Sequence, residues 1–195
     1  MKRLILVTSP PASGKTYISK QLAKALKHVV YLDKDTLIVL SHQIFKAANA
    51  EVNRSSDFFE EHIRNYEYDA ILALAMEALE YEDIVLINAP FTREIRDTAF
   101  IDALKDKLLE KNARLTVVWV ATDIDVVKQR MIERNSPRDT WKLDNWDEYI
   151  KGVNFAIPSS IDEAHIHDDL LLFHNSNEEQ YQRSMQDILA VLEAK

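Results

Sequence analysis

Short runs in which nearly every residue is apolar alternate along the chain with longer stretches in which apolar residues recur every third or fourth place. Five short runs stand out: LILV at 4–7, VVYL at 29–32, IVLI at 84–87, LTVVWVA at 115–121 and LLLF at 170–173. They are continuous rather than alternating, so they predict strands buried on both faces, as in a parallel sheet covered by helices. Between them, Ile18, Leu22 and Leu26 make one helical stripe over 15–27. Phe59, Ile63, Tyr66, Ala70 and Leu74 mark a helix over 57–81 that Asp57 and Glu60 would cap. Further helices are predicted over 94–111, over 123–135 with Thr122 and Asp125 as a capping box, and over 178–194 with Ile188, Val191 and Leu192 inward. Strand–helix alternation of this kind implies a layered α/β fold with right-handed crossovers. The 195 residues show no repeat, linker or low-complexity tract, which predicts one domain over 1–195. The stretch 36–82, helical throughout by pattern, is the natural place for an inserted substrate lobe.

Charge narrows the function. The formal net charge is −8 and no long run of Lys or Arg appears, which argues against extended contact with a nucleic-acid backbone. A single nucleotide or a strand end stays open. Without cysteine, neither disulfides nor thiolate metal sites can form. The opening MKRLILV has too short an apolar run for a signal core, and no run approaches the roughly 18–20 residues of a membrane span. The expected setting is cytoplasmic. Only two glycines occur, Gly14 and Gly152, so each raises the question of whether a side chain would fit. For Gly152 a plain turn after the helix around Tyr149 suffices.

Gly14 lies in SPPASGKT at 9–16, which fits G-x-x-x-x-G-K-[ST] except that Ser9 replaces the first glycine. The buried strand before it and the amphipathic helix opening at Lys15 supply the context this motif needs, because a helix N-terminus exposes unpaired N–H groups to an anion. Proline carries no N–H. However, Pro10 and Pro11 sit in the ascending part of the loop, and Ala12, Ser13, Gly14, Lys15 and Thr16 all keep theirs. These residues are the expected nucleotide contacts. Lys15 would reach the β- and γ-phosphates, and the Thr16 hydroxyl would ligate Mg²⁺. Asp33 and Asp35 close the second run, at the carboxyl edge of a strand where ligands bind in open α/β sheets. A carboxylate there could accept the proton of an attacking hydroxyl, or Asp35 could simply cap the next helix.

SPPASGKT resembles the G-x-P-x-S-G-K-[ST] loop of the small P-loop kinases, the group that includes polynucleotide kinase, chloramphenicol phosphotransferase and zeta-toxin-like proteins. Pro11, Ser13, Gly14, Lys15 and Thr16 match, and Ser9 departs. The resemblance implies a P-loop NTPase fold with five parallel strands in the order 2-3-1-4-5. It makes Asp35 the base and places Asp33 second or near Mg²⁺. The arginine that the family carries three residues further on is replaced by Ile38, and the acidic residue of an ordinary P-loop protein at the end of the third strand is replaced by Asn88. The resemblance also implies an R-x-x-x-R helix after the fourth strand and a lid over 130–150. Arg130, Arg134 and, beyond the break at Pro137, Arg138 would then meet the phosphates, and Arg130 and Arg138 would stabilise transferring charge. These arginines could equally be paired with neighbours such as Glu133 on a solvated helix. Asn175, after the last strand, lies where such kinases contact the base. Arg54, Arg64 and Arg93 are candidates for an anionic acceptor, whereas HIHDD at 165–169 is expected to be a loop.

These readings together describe an ATP-dependent phosphotransferase that moves the γ-phosphoryl group to a hydroxyl of a small molecule or nucleotide, with Mg²⁺. GTP, a polynucleotide 5′-hydroxyl or a sugar nucleotide as substrate, and a nucleotide-binding switch without transfer, are the alternatives. Asn88 and the lost first glycine favour the switch. No residue pattern fixes an oligomeric state.

Overall fold

The computed structural model describes residues 2–136, 139–158 and 169–193. The five apolar runs are five strands: β1 (Lys2–Thr8), β2 (Val29–Asp33), β3 (Ile84–Asn88), β4 (Ala113–Ala121) and β5 (Leu170–His174). All pair in parallel in the order β2-β3-β1-β4-β5. The helices are α1 (Lys15–Ala25), α2 (Ile38–Ala47), α3 (Asp57–Phe59), α4 (Asn65–Ala78), α5 (Thr98–Glu110), α6 (Ile124–Arg134), α7 (Thr140–Asp144), α8 (Trp146–Gly152) and α9 (Glu178–Glu193). The strands are continuous because both faces are covered. Leu4, Leu6, Val85, Ile87, Val117 and Trp119 pack on one side with Ile71 and Ala75 of α4 and with Ile101 and Leu104 of α5. Ile5, Val7, Leu86, Val118 and Val120 pack on the other side with Ile18 and Leu22 of α1 and with Ile188 and Leu192 of α9. At roughly 1.5–3 kcal/mol for each fully buried aliphatic side chain, this double burial dominates the stability of the sheet. The register sets Asp33 beside Asn88 and Asn88 beside Val7, so β1, β2 and β3 end level at one edge.

Several helix details depart from the sequence pattern. The stretch 36–82 is not helical throughout: a 3₁₀ turn occupies Lys34–Leu37 and a loop occupies 48–56. The expected helix over 57–81 contains a π turn, Glu60–Arg64, between α3 and α4. Stepping by four along an α-helix turns the facing direction by about 40° each time. The wider π turn absorbs that drift, so Phe59, Ile63, Glu67, Ile71 and Ala75 stay buried on one side while Tyr66, Ala70 and Leu74 face outward. The N-cap is Ser56, whose Oγ accepts from Phe59 N, rather than Asp57. Likewise α6 starts after Asp123 with no side-chain cap, because the Thr122 hydroxyl donates to the Ser13 carbonyl instead. Asp97 caps α5 through Ala99 N and Phe100 N, which separates it from a 3₁₀ turn at Glu94–Arg96. Val191 in α9 is partly exposed, and Ser184 takes a buried place beside Ile188 and Leu192.

Candidate functional site

The loop after β1 is shaped from within and from below. Ser9 and Ser13 both donate their hydroxyls to the Pro10 carbonyl, at 2.9 and 3.1 Å, so Ser9 is built into the turn that a glycine would otherwise make. Ala12 and Gly14 are left-handed, with φ of 62° and 91°. Gly14 has a second reason to be glycine, since a Cβ there would lie 2.5 Å from Asn175 Nδ2. Gly14 caps α1 without any side-chain hydrogen bond, so the first turn of the helix presents its amides to whatever sits above the loop.

Asn88 is buried and connects the loop to the acidic turn. Its Oδ1 accepts from Lys15 Nζ at 2.6 Å and from Ser19 Oγ at 3.4 Å. Its Nδ2 donates to Asp33 Oδ2 at 2.9 Å and lies 3.3 Å from Thr16 Oγ1. Asp33 also accepts from Tyr31 Oη and from the Asp35 amide. Burial, followed by the negative charge of Asp33, pushes the Tyr31 phenol well above its usual range, so it stays a donor to Asp33. A neutral amide at position 88 therefore suits its surroundings, because its Nδ2 fills the place where a second carboxylate would confront Asp33.

Above this edge lies a cleft of about 610 Å³ lined by Ser9, Pro10, Pro11, Ala12, Gly14, Lys15, Thr16, Tyr17, Asp35, Pro90, Arg130, Arg134 and Lys142. The fold thus gathers the loop, Asp35 and two arginines of α6 around one space. Arg130 is held to backbone oxygens: NH1 donates to Ser13 O at 3.2 Å and NH2 to Asn175 O at 2.7 Å. Burial lowers its pKa. Arg134 donates twice to Asp139 Oδ2, at 2.8 and 2.5 Å, and Lys142 reaches Asp139 Oδ1 at 3.3 Å. Burial of Asp139 works against its charge, but the bonds from Arg134 and Lys142 outweigh it and hold the pKa below the ordinary value. Lys142 and Tyr17 carried no signal in the sequence beyond their residue type. Arg138 lies outside the described residues.

The three arginines expected at an acceptor each meet a glutamate. Arg54 makes two bonds to Glu67, at 2.6 and 2.7 Å, and lies 4.4 Å from the Phe59 ring. Arg64 pairs with Glu94 at 2.6 Å and Arg93 with Glu60 at 2.7 Å. None of the three lines the cleft. Glu67 also accepts from Ser41 and, at 2.5 Å, from Lys34, whose buried side chain lies in sequence between Asp33, which turns to Asn88, and the exposed Asp35. Most of HIHDD falls outside the described residues; its last member, Asp169, pairs with Lys105 at 3.3 Å. Among the described residues no cluster of three or more His, Asp or Glu could hold a metal ion, and no helix is long and apolar enough to cross a membrane.

A phosphate-type loop between the central strand and its helix, in a parallel sheet of order 2-3-1-4-5, is the architecture of the P-loop NTPase fold. The chain belongs to the AAA domain family, whose model matches residues 4–154. No curated relative matches the sequence. Solved structures with the same fold include a sugar kinase from Janibacter sp. (12% identity, 98% of this chain and 95% of that one, TM-score 0.56). Kti12 from Chaetomium thermophilum, solved with ADP-AlF3, is another (20% identity, 98% and 100%, TM-score 0.55). A third is shikimate kinase from Bacteroides thetaiotaomicron (18% identity, 99% of each chain, TM-score 0.53).

Proposed function

We propose that the protein is an ATP-dependent phosphotransferase that moves the γ-phosphoryl group to a hydroxyl of a small molecule, in the cytoplasm. The observation that carries this reading is the cleft in which Lys15, Thr16, Asp35, Arg130 and Arg134 line one space directly above the loop. In this reading the amides of Ala12 to Thr16 and the Lys15 ammonium bind the phosphates. Asp35 orients the acceptor hydroxyl and takes its proton, and Arg134 with Lys142 offers positive charge from the lid side. The Thr16 hydroxyl and the Asp33 carboxylate, set on either side of Asn88, are the oxygen donors that would hold Mg²⁺, an ion that takes few protein ligands and keeps waters and phosphate oxygens. Bound there, it would neutralise phosphate charge. Arg54, Arg64 and Arg93 face the acceptor only if their glutamates release them. The net charge of −8 disfavours a polynucleotide acceptor.

Calorimetry with MgATP tests the first half: binding that Lys15→Ala abolishes is expected, and no uptake of ATP or GTP at millimolar concentration refutes it. A screen of hydroxyl acceptors tests the second half. Asp35→Asn should leave ATP affinity within a few-fold and slow transfer by ~10²-fold or more. The contact of Lys15 with the neutral Asn88, where a P-loop enzyme ordinarily carries an acid, supports a second reading, a nucleotide-binding switch. Tight ATP binding with no acceptor in the screen favours it.

A further inference from the structure

Three side chains from three separate segments converge on one backbone oxygen. The Ser13 carbonyl accepts from Asn175 Nδ2 at 2.8 Å, Thr122 Oγ1 at 3.1 Å and Arg130 NH1 at 3.2 Å. Thr122 follows β4, Arg130 sits in α6 and Asn175 follows β5. Asn175 is itself fixed, since its amide donates to Ala121 O and its carbonyl accepts from Arg130 NH2. Asn175 is buried and does not line the phosphate cleft.

A carbonyl has two lone pairs, so three donors on one oxygen define its direction closely. In a planar trans peptide the C=O and the following N–H point to opposite sides, and the protein has no cis peptide among its described residues. Holding Ser13 O down toward the sheet therefore turns the Gly14 N–H up, on the cleft side where Gly14 is found. The loop's own serines and prolines fix the turn around Pro10, and these three donors add the hold on the Ser13–Gly14 peptide.

We infer that Asn175 and Thr122, with Arg130, are positioning residues that orient the Ser13–Gly14 peptide so that its N–H faces a phosphate, and that Asn175 acts on the triphosphate rather than on the base. The inference rests on the nucleotide reading above for its ligand, but the device belongs to the unliganded protein. Two glycines make this directly visible: ¹⁵N-glycine labelling yields only the amides of Gly14 and Gly152. In the unliganded wild type the Gly14 order parameter should be near the rigid value of about 0.85, and in Asn175→Ala and Thr122→Val it should fall toward about 0.6, with Thr122→Ser restoring it and Gly152 unmoved. Losing one such bond should weaken ATP, GTP and inorganic tripolyphosphate alike, by about 3–10-fold, with the ATP-to-GTP ratio unchanged. Thr122→Val removes only a hydroxyl, so it carries the test should Asn175→Ala not fold. A Gly14 amide equally rigid in both variants overturns the positioning role whatever the ligand. So does a loss confined to ATP with tripolyphosphate unaffected, which would make Asn175 a base contact. Rigidity lost on mutation in a protein that binds no triphosphate would instead uphold the positioning and sink the nucleotide reading.

Discussion

Glu67→Gln is the most demanding test of how the acidic turn is held. The substitution keeps the shape of the side chain but replaces a carboxylate that accepts four hydrogen bonds, from Lys34, Ser41 and twice from Arg54. Lys34 is only 4% exposed, so its charge has no water to turn to. Removing one member of a buried pair typically costs about 3–5 kcal/mol. The depressed pKa of Glu67 gives a second figure. Burial of Glu67 raises its pKa, but the bonds from Arg54, Lys34 and Ser41 outweigh that and bring it to about 2. Set against the ordinary 4.5 in the unfolded chain, the depressed folded value contributes stability that is complete above pH 4.5 and is lost as the pH falls toward 2. At about 1.4 kcal/mol per pH unit the contribution is about 3 kcal/mol. The two figures agree, and for a domain of this size they predict a fall in melting temperature of roughly 6–20 °C at pH 7. Urea denaturation of wild type and variant between pH 7 and pH 2.5 is the assay. The wild type should lose stability below pH 4.5 and the variant should lose about 3 kcal/mol less over the same range. A variant within 2 °C of wild type at pH 7 would refute the network as a structural element.

Asn88→Asp should place a carboxylate where Nδ2 now donates to Asp33 at 2.9 Å, so one of the two acids retains its proton to higher pH. Carboxyl ¹³C titration reads this, and both groups ionising as ordinary aspartates would contradict it. Asp139→Asn removes the shared partner of Arg134 and Lys142; stability should drop by about 2 kcal/mol while MgATP binds several-fold tighter, because both cations then lose the anion that they share. Weaker ATP binding would contradict it. Gly14→Ala should lose both nucleotide binding and stability, since it combines a φ of 91° with a contact at 2.5 Å, whereas Gly152→Ala, with nothing within 4 Å, should be neutral or slightly stabilising in thermal melts.

The sheet was legible because burial on both faces leaves a local trace, an unbroken apolar run, in each strand. The loop was legible because its chemistry is contiguous from Ala12 to Thr16. The register of the long helix was not, because a π turn at Glu60–Arg64 leaves no mark in the spacing and moves the inward side from Tyr66, Ala70 and Leu74 to Glu67, Ile71 and Ala75. The two capping boxes failed for a related reason. Ser56 stood one residue ahead of Asp57, and Thr122 had a tertiary partner that no local rule contains. The bonds of Asn88 to Lys15 and Asp33, and of Glu67 to Lys34 and Arg54, join residues 13 to 73 positions apart, and such pairings lie beyond any pattern read along the chain.

The place of β1 in the sheet has a consequence during synthesis. It pairs with β3 on one side and β4 on the other, so the ribosome delivers the central strand long before either neighbour exists. At about 5–20 residues per second, the chain from Thr8 to Asn88 takes roughly 4–16 s to be made, and for that time the LILV segment has no strand to dock on. Nascent chains arrested before residue 84 should therefore be captured by holdase chaperones through this segment, and release should begin only once β3 is outside the exit tunnel.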